Sequence, residues 1–119
     1  MGNFRFEDLE IWNLSIEICD VLFEIADKLE NKKHYKFAEQ IRAAGLSMPN
    51  NIAEGSGSYS EKEFAYFINI SRRSAFECAN MVIILNKRNI LDDPSKKIIL
   101  NKIRLFCQKA HHFRRRILK

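Results

Sequence analysis

Between residues 7 and 30 the apolar side chains fall into two helical seams instead of one, and that doubling limits what the chain can build. Leu9, Trp12, Ile16, Cys19, Phe23 and Ala26 alternate at spacings of three and four, the period of one helix face. Ile11, Leu14, Ile18, Val21 and Ile25 form a second seam, and Leu22 and Leu29 widen the apolar surface further. A third seam, Glu10, Asn13, Glu17, Asp20, Glu24 and Asp27, is polar and almost entirely acidic. A surface helix of a monomeric bundle needs one apolar stripe roughly 100° wide, and this helix carries close to twice that. Two seams predict two partner surfaces: the protomer's own core and, through Ile11, Leu14, Ile18, Val21 and Ile25, a neighbouring subunit. The alternative is a helix enclosed within one protomer, which a small bundle has little material to provide.

Three further helical segments follow. Residues 33–54 place Phe37, Ile41, Ala44, Met48 and Ile52 on one face, with Ala38, Ala43 and Gly45 thin enough for close approach. Pro49 removes a hydrogen bond and presses on the carbonyl of Gly45, which predicts a kink near residues 45–47 in a continuing helix. Residues 60–88 align Phe64, Ile68, Ser71, Ala75, Cys78, Val82 and Leu85, and Asp93-Pro94 reads as a cap followed by a first-turn proline. The fourth segment has Ile99, Ile103, Phe106, Ala110, Phe113 and Ile117 as its seam. With 119 residues, four Gly and two Pro, the chain predicts a single all-α domain over residues 1–119, not a turn-rich β fold. Linkers of five or six residues predict an antiparallel up-down-up-down four-helix bundle.

The stretch "SMPNNIAEGSGSYSEKEF", residues 47–64, invites comparison with a phosphate loop. It lacks the preceding strand and the Lys-Ser/Thr pair that a P-loop needs, and it lacks the three spaced glycines of a dinucleotide fingerprint. It reads instead as a corner. Gly55 ends the second helix, Ser60 and Glu63 form a capping box, and Tyr59 and Phe64 occupy the positions of a hydrophobic staple. Asn51, Glu54 and Glu77 are expected in a buried polar network with Arg42, Arg72 or Arg73; the other reading of Asn50, Asn51 and Glu54 is a polar site at the bundle's end.

Other chemistry is thin. Cys19, Cys78 and Cys107 are odd in number and form no CxxC pair, so free thiols in a reducing compartment are expected. Cys107 and His111 lie one helical turn apart, but His34 and His112 add no matching spacing, so no metal is expected. No GxSxG, HExxH or Cys/His catalytic signature occurs, and neither an enzyme nor a cofactor is expected. No apolar run approaches the length of a membrane span, and the N-terminus lacks a signal-peptide pattern, so a cytoplasmic protein is expected. Gly2 is followed at position 6 by Phe, not the Ser or Thr of a myristoylation signal.

Charge is the exception. The net charge is +5, yet from Pro94 onward nine Lys or Arg meet no acid, leaving the first 93 residues at −4. Lys102, Lys109 and Arg116 share one stripe of the last helix, Lys97 and Arg104 an adjacent one continued by His111, and Arg114, Arg115 and Arg116 concentrate charge near its end. One reading is a solvated face, or one paired with a neighbour's acidic first helix. The other is contact with nucleic-acid phosphates, led by the backbone and weakly sequence-specific.

The segments "FEDLEIW" (6–12), "AEQIRAAGLSMPNNIAEGSG" (38–57) and "SEKEFAYFINISRRSAFEC" (60–78) carry a family resemblance. Residues 40–55 are its most specific part. The chain resembles the four-helix-bundle proteins encoded by intervening sequences of large-subunit ribosomal RNA genes. It is also similar to the accessory variability determinant of diversity-generating retroelements. The resemblance implies a homopentameric, barrel-like ring. From the accessory-determinant branch it implies a basic surface for RNA or DNA and a reverse transcriptase partner. It names no activity for the intervening-sequence branch. Relatives often place a proline between the first two helices, where this chain has "LENKKHYKF". Together these readings predict a non-enzymatic, oligomeric protein whose basic helix binds RNA or DNA; the alternative is a scaffold in which that helix serves subunit contacts alone.

Overall fold

The computed structural model describes residues 3–119, so Gly2 lies outside the described residues. A 3₁₀ turn, Arg5–Asp8, precedes four helices: α1 (Glu10–Asn31), α2 (Tyr35–Ser56), α3 (Glu61–Lys87) and α4 (Asp93–Ile117). Each helix packs against the next in the chain, and α4 also meets α1, more sparsely. At 1.5 Å per residue, helices of 22–27 residues account for the long dimension of the 44 × 25 × 22 Å molecule. No helix among the described residues is long and apolar enough to cross a membrane.

The first helix begins three residues later than its periodicity suggests. Leu9 keeps an extended backbone, and Glu7 turns back so that its carboxylate accepts the Phe4 N–H at 2.8 Å. Asn13 donates to the carbonyls of both Glu7 and Leu9, tying the turn to the helix. Phe6 then packs on Trp12, ring centres 5.2 Å apart.

Of the two α1 seams, neither is the one that faces the core. The buried residues are Ile11, Ser15, Ile18, Cys19, Leu22, Ala26 and Leu29, a stripe drawn from both seams and centred on Leu22. Ile11 and Ile18, expected at a subunit interface, are 3% and 1% exposed within the protomer and belong to its core. Leu14, Val21 and Ile25 lie half-buried on one flank of that stripe; Trp12, Ile16 and Phe23 lie half-buried on the other. The buried Ser15 is satisfied by donating to the Trp12 carbonyl at 2.6 Å.

α2 continues through Pro49 without a break, and the Met48 carbonyl accepts the buried Ser71 hydroxyl of α3 at 2.8 Å. Gly55 does not end this helix. It lies inside it, buried, where a Cβ would stand 2.5 Å from the Phe67 Cβ and 2.9 Å from Phe64 Cδ1. Its role is close approach of α2 and α3, and Gly57 takes the terminal position. Ser60 caps α3 by accepting the Glu63 N–H at 3.1 Å, half of the expected box. The expected staple is absent: Phe64 is buried while Tyr59 is fully exposed.

The turns after α1 and α3 share one geometry. The His34 N–H reaches the Leu29 carbonyl and the Lys33 N–H that of Glu30; Ile90 to Leu85 and Asn89 to Asn86 repeat the pattern. This is the Schellman closure, with Lys33 (φ 68°) and Asn89 (φ 61°) in the left-handed region. The first turn is therefore closed by backbone bonds, with a lysine where glycine would be less strained. α4 is capped by Asp92, not Asp93; its carboxylate accepts the Ser95 N–H at 2.7 Å, and Pro94 moves to the second helical position. Asp93 instead accepts the Asn86 side-chain amide at 2.7 Å.

Candidate nucleic-acid interface

α4 buries Ile99, Leu100, Ile103, Phe106 and Ala110, and its charged residues are held outward by that anchoring. Successive helix positions are about 100° apart, so Lys102 and Arg104 sit about 200° from one another. The two basic stripes are thus not adjacent but flank the buried seam from opposite sides. Lys102, Lys109 and Arg116 border α1, while Lys97, Arg104, His111 and Arg115 border α3.

The α1 side is partly neutralised. Lys109 Nζ lies 3.5 Å from the Glu10 carboxylate, and Asp8, Glu10, Lys109, His112 and Arg116 line one pocket. Arg116 covers the Phe113 ring at 5.6 Å. Lys102 is half-buried. Between the stripes and the core, Arg114 donates from Nε to the Ala65 carbonyl at 3.3 Å, which ties it to α3.

The α3 side is different. Arg72, Phe76, Ala79, Ile103, Arg104, Cys107, Gln108 and His111 line a groove of about 710 Å³ between α3 and α4, and none of these is a carboxylate. Arg104 donates to the Asn101 side chain at 3.1 Å, and Lys97 and Arg115 are exposed. Arg72 stacks over the Phe76 ring at 4.9 Å, and its buried Nε has no acceptor among the described residues. Phe76 is 56% exposed. The sequence treated Arg72 only as a partner for buried acids and passed over Phe76. Their signal was the i, i+4 placement of an arginine and an aromatic outside the apolar seam of α3.

Burial raises the pKa of the Cys107 thiol, and nearby Arg72 opposes that rise. Burial, with Asp20 adding to it, pushes Cys19 up to about 11; burial, with Glu77 next, pushes Cys78 up to about 12. These thiols stay protonated near neutrality and are poor nucleophiles. All three cysteines are free, and no group of three or more potential ligands able to hold a metal occurs among the described residues.

The polar network between α2 and α3 holds one of the expected residues, Asn51, together with Ser47 and Ser74. Ser47 and Ser74 share a hydrogen bond of 2.7 Å, and Asn51 donates to the Ser47 carbonyl at 2.7 Å and to its hydroxyl at 3.0 Å. Asn51 is a member; Glu54 and Glu77 are exposed and make no hydrogen bond or ion pair among the described residues. Arg42 instead binds Asp27 at 2.7 Å and Glu30 at 2.6 Å, joining α2 to α1. The rotation of α2 turns Arg42 toward α1, where Asp27 and Glu30 lie.

A family model for 23S rRNA-intervening sequence proteins matches residues 7–112. Comparison with curated proteins returns no match. The match runs through all four helices, from the 3₁₀ turn into the last turns of α4, and the chain belongs to the 23S rRNA-intervening sequence protein family.

Proposed function

We propose that this member of the 23S rRNA-intervening sequence protein family is a non-enzymatic, oligomeric binder of RNA or DNA. Its α4 contacts the phosphate backbone with little sequence preference, through Lys97, Arg104 and Arg115 first and through Lys102, Lys109, Arg114 and Arg116 at the margins. The observation that carries this reading is the acid-free groove in which the α4 stripe continues onto Arg72 of α3. Positive charge that no internal carboxylate cancels attracts polyanions. The family's connection with 23S rRNA genes supports an RNA context for it.

The protomer is proposed as an antiparallel up-down-up-down bundle. Glu10 at the start of α1 meets Lys109 late in α4, and Leu29 at the end of α1 shares a groove with Asp92 at the start of α4. Copies are proposed to assemble into a pentameric ring through the flanks of α1, where Ile16 and Phe23 on one side and Leu14, Val21 and Ile25 on the other remain half-buried. Val21 and Ile25 line a groove of about 320 Å³ with Ile98 and Ile99 of α4, a seat for a neighbour's apolar side chains. Three free thiols suit the reducing cytoplasm.

A salt titration of RNA binding tests the nucleic-acid reading. Replacing Lys97, Arg104 and Arg115 by Gln should lower the slope of log affinity against log salt by about two for single strands. An absence of binding at about 50 mM salt, or an unchanged slope, removes the reading. The Lys109–Glu10 pair favours a second reading for the α1-side stripe, in which it serves contacts with acidic α1 surfaces of other copies.

A further inference from the structure

We infer that the α3/α4 groove is a single-strand site, in which an unpaired base stacks on Phe76 while Arg72 and Arg104 hold the phosphates beside it. The inference rests on the phosphate-binding reading and adds a substrate class to it: unpaired RNA or DNA, in preference to duplex.

Phosphate attraction alone does not select single strands; it favours duplexes, which carry the denser charge. What separates the two is an accessible aromatic face, since bases in a duplex are already stacked on one another. Phe76 supplies that face. It lies outside the core seam of α3, 56% exposed, in a groove whose lining includes two arginines and no other phenyl or indole ring. Arg72 lies over one face of the ring at 4.9 Å, which places a guanidinium beside the aromatic group on which a base would stack. The Nε of Arg72 has no acceptor among the described residues, so turning that guanidinium toward a phosphate breaks no internal hydrogen bond at that atom. Across the groove Arg104 adds a second cation, and Gln108 and His111 add polar groups at the rim. The groove, about 710 Å³, is open to solvent along its length, so a strand can lie in it without being enclosed. No lining carboxylate repels the phosphate. The α1/α4 groove has no such pairing: Glu24 and Asp92 offset its Lys28 and Lys32 among mostly aliphatic side chains, and it holds no aromatic ring.

The experiment measures binding of a 12-nucleotide oligouridylate carrying one 2-aminopurine, and of a 12-base-pair RNA duplex, to the full chain and its Phe76→Ala and Phe76→Trp variants. Phe76→Ala should weaken the single strand roughly tenfold or more and abolish the quenching of 2-aminopurine. Duplex affinity and the salt slope for both ligands should stay unchanged, because stacking releases no counterions. Phe76→Trp should restore quenching and single-strand affinity. Equal losses for single strand and duplex, or no loss for either, overturn the groove assignment while leaving the backbone reading in place. Wild-type protein that binds neither ligand at low salt overturns both. Helical circular dichroism of each variant separates loss of the site from loss of the fold.

Discussion

Gly45 and Gly55 lie on the same helix and respond in opposite ways to a methyl group. A Cβ at Gly45 would sit 3.5 Å from Cys19 Sγ and Leu22 Cδ1, ordinary contact distances. Gly45→Ala should therefore gain the helix propensity of alanine, stabilising by up to about 1 kcal/mol. At Gly55 the same atom would fall 2.5 Å from the Phe67 Cβ, which no rotamer change relieves. Gly55→Ala should cost about 1–3 kcal/mol despite its propensity gain, from overpacking of the α2–α3 seam. Urea unfolding of the two variants checks the pair, and equal effects would refute the close-approach role. In the sequence Gly55 looked like a helix stop, because it stands beside Ser, Gly and a capping serine. A glycine required for backbone conformation and one required for another helix's side chain look alike until the second helix is in place.

At the scale of the element, α4 shows what periodicity conveys and what it omits. Its apolar seam was legible, and the seam alone places the cations outside. The two stripes looked like neighbours because both repeat at seven; the 200° between Lys102 and Arg104 sends one toward α1's acids and the other toward Arg72. Its start moved by one residue, because Asp92 and not Asp93 reaches the Ser95 N–H. That bond holds the Asp92 pKa below its ordinary value of 3.8, the backbone N–H of Ser95 being the main cause and its side chain the next. A depressed carboxylate contributes stability that is present above its unfolded pKa and lost as pH falls through the folded one. Asp92→Ala should therefore lower the melting temperature at pH 7. The deficit should shrink as pH drops below 3.8 and vanish once Asp92 is protonated in the wild type. Thermal melts across that window check the cap, and a deficit independent of pH would contradict it.

At the scale of the whole molecule, the apolar surface of α1 exceeds what one protomer covers. The buried stripe runs from Ile11 to Leu29, and half-buried apolar residues remain on both flanks. Ile16 and Phe23 are the strongest test, because they do not pack on the core and can be changed without emptying it. The chain should run in solution as a multiple of 14.0 kDa, five copies for the proposed ring. Ile16→Glu with Phe23→Glu should reduce the assembled mass while keeping helical content. Native mass spectrometry distinguishes the outcomes: a wild-type monomer would remove the reason for two apolar flanks.

Four helices, their approximate limits, the apolar seams of α2, α3 and α4, and the family were readable from residue spacing and local motifs. These depend on neighbours within a few positions, where backbone hydrogen bonding and side-chain periodicity act. The rotation of each helix about its own axis was not readable. Periodicity says which residues share a face, but packing of whole side-chain layers decides which face is covered. That rotation put Ile11 and Ile18 inside, gave Arg42 to Asp27 and Glu30, left Glu54 and Glu77 in solvent, and carried Arg72 and Phe76 to the edge of α4. The basic helix was written in the sequence; the groove that gives its charge a shape exists only where two helices meet.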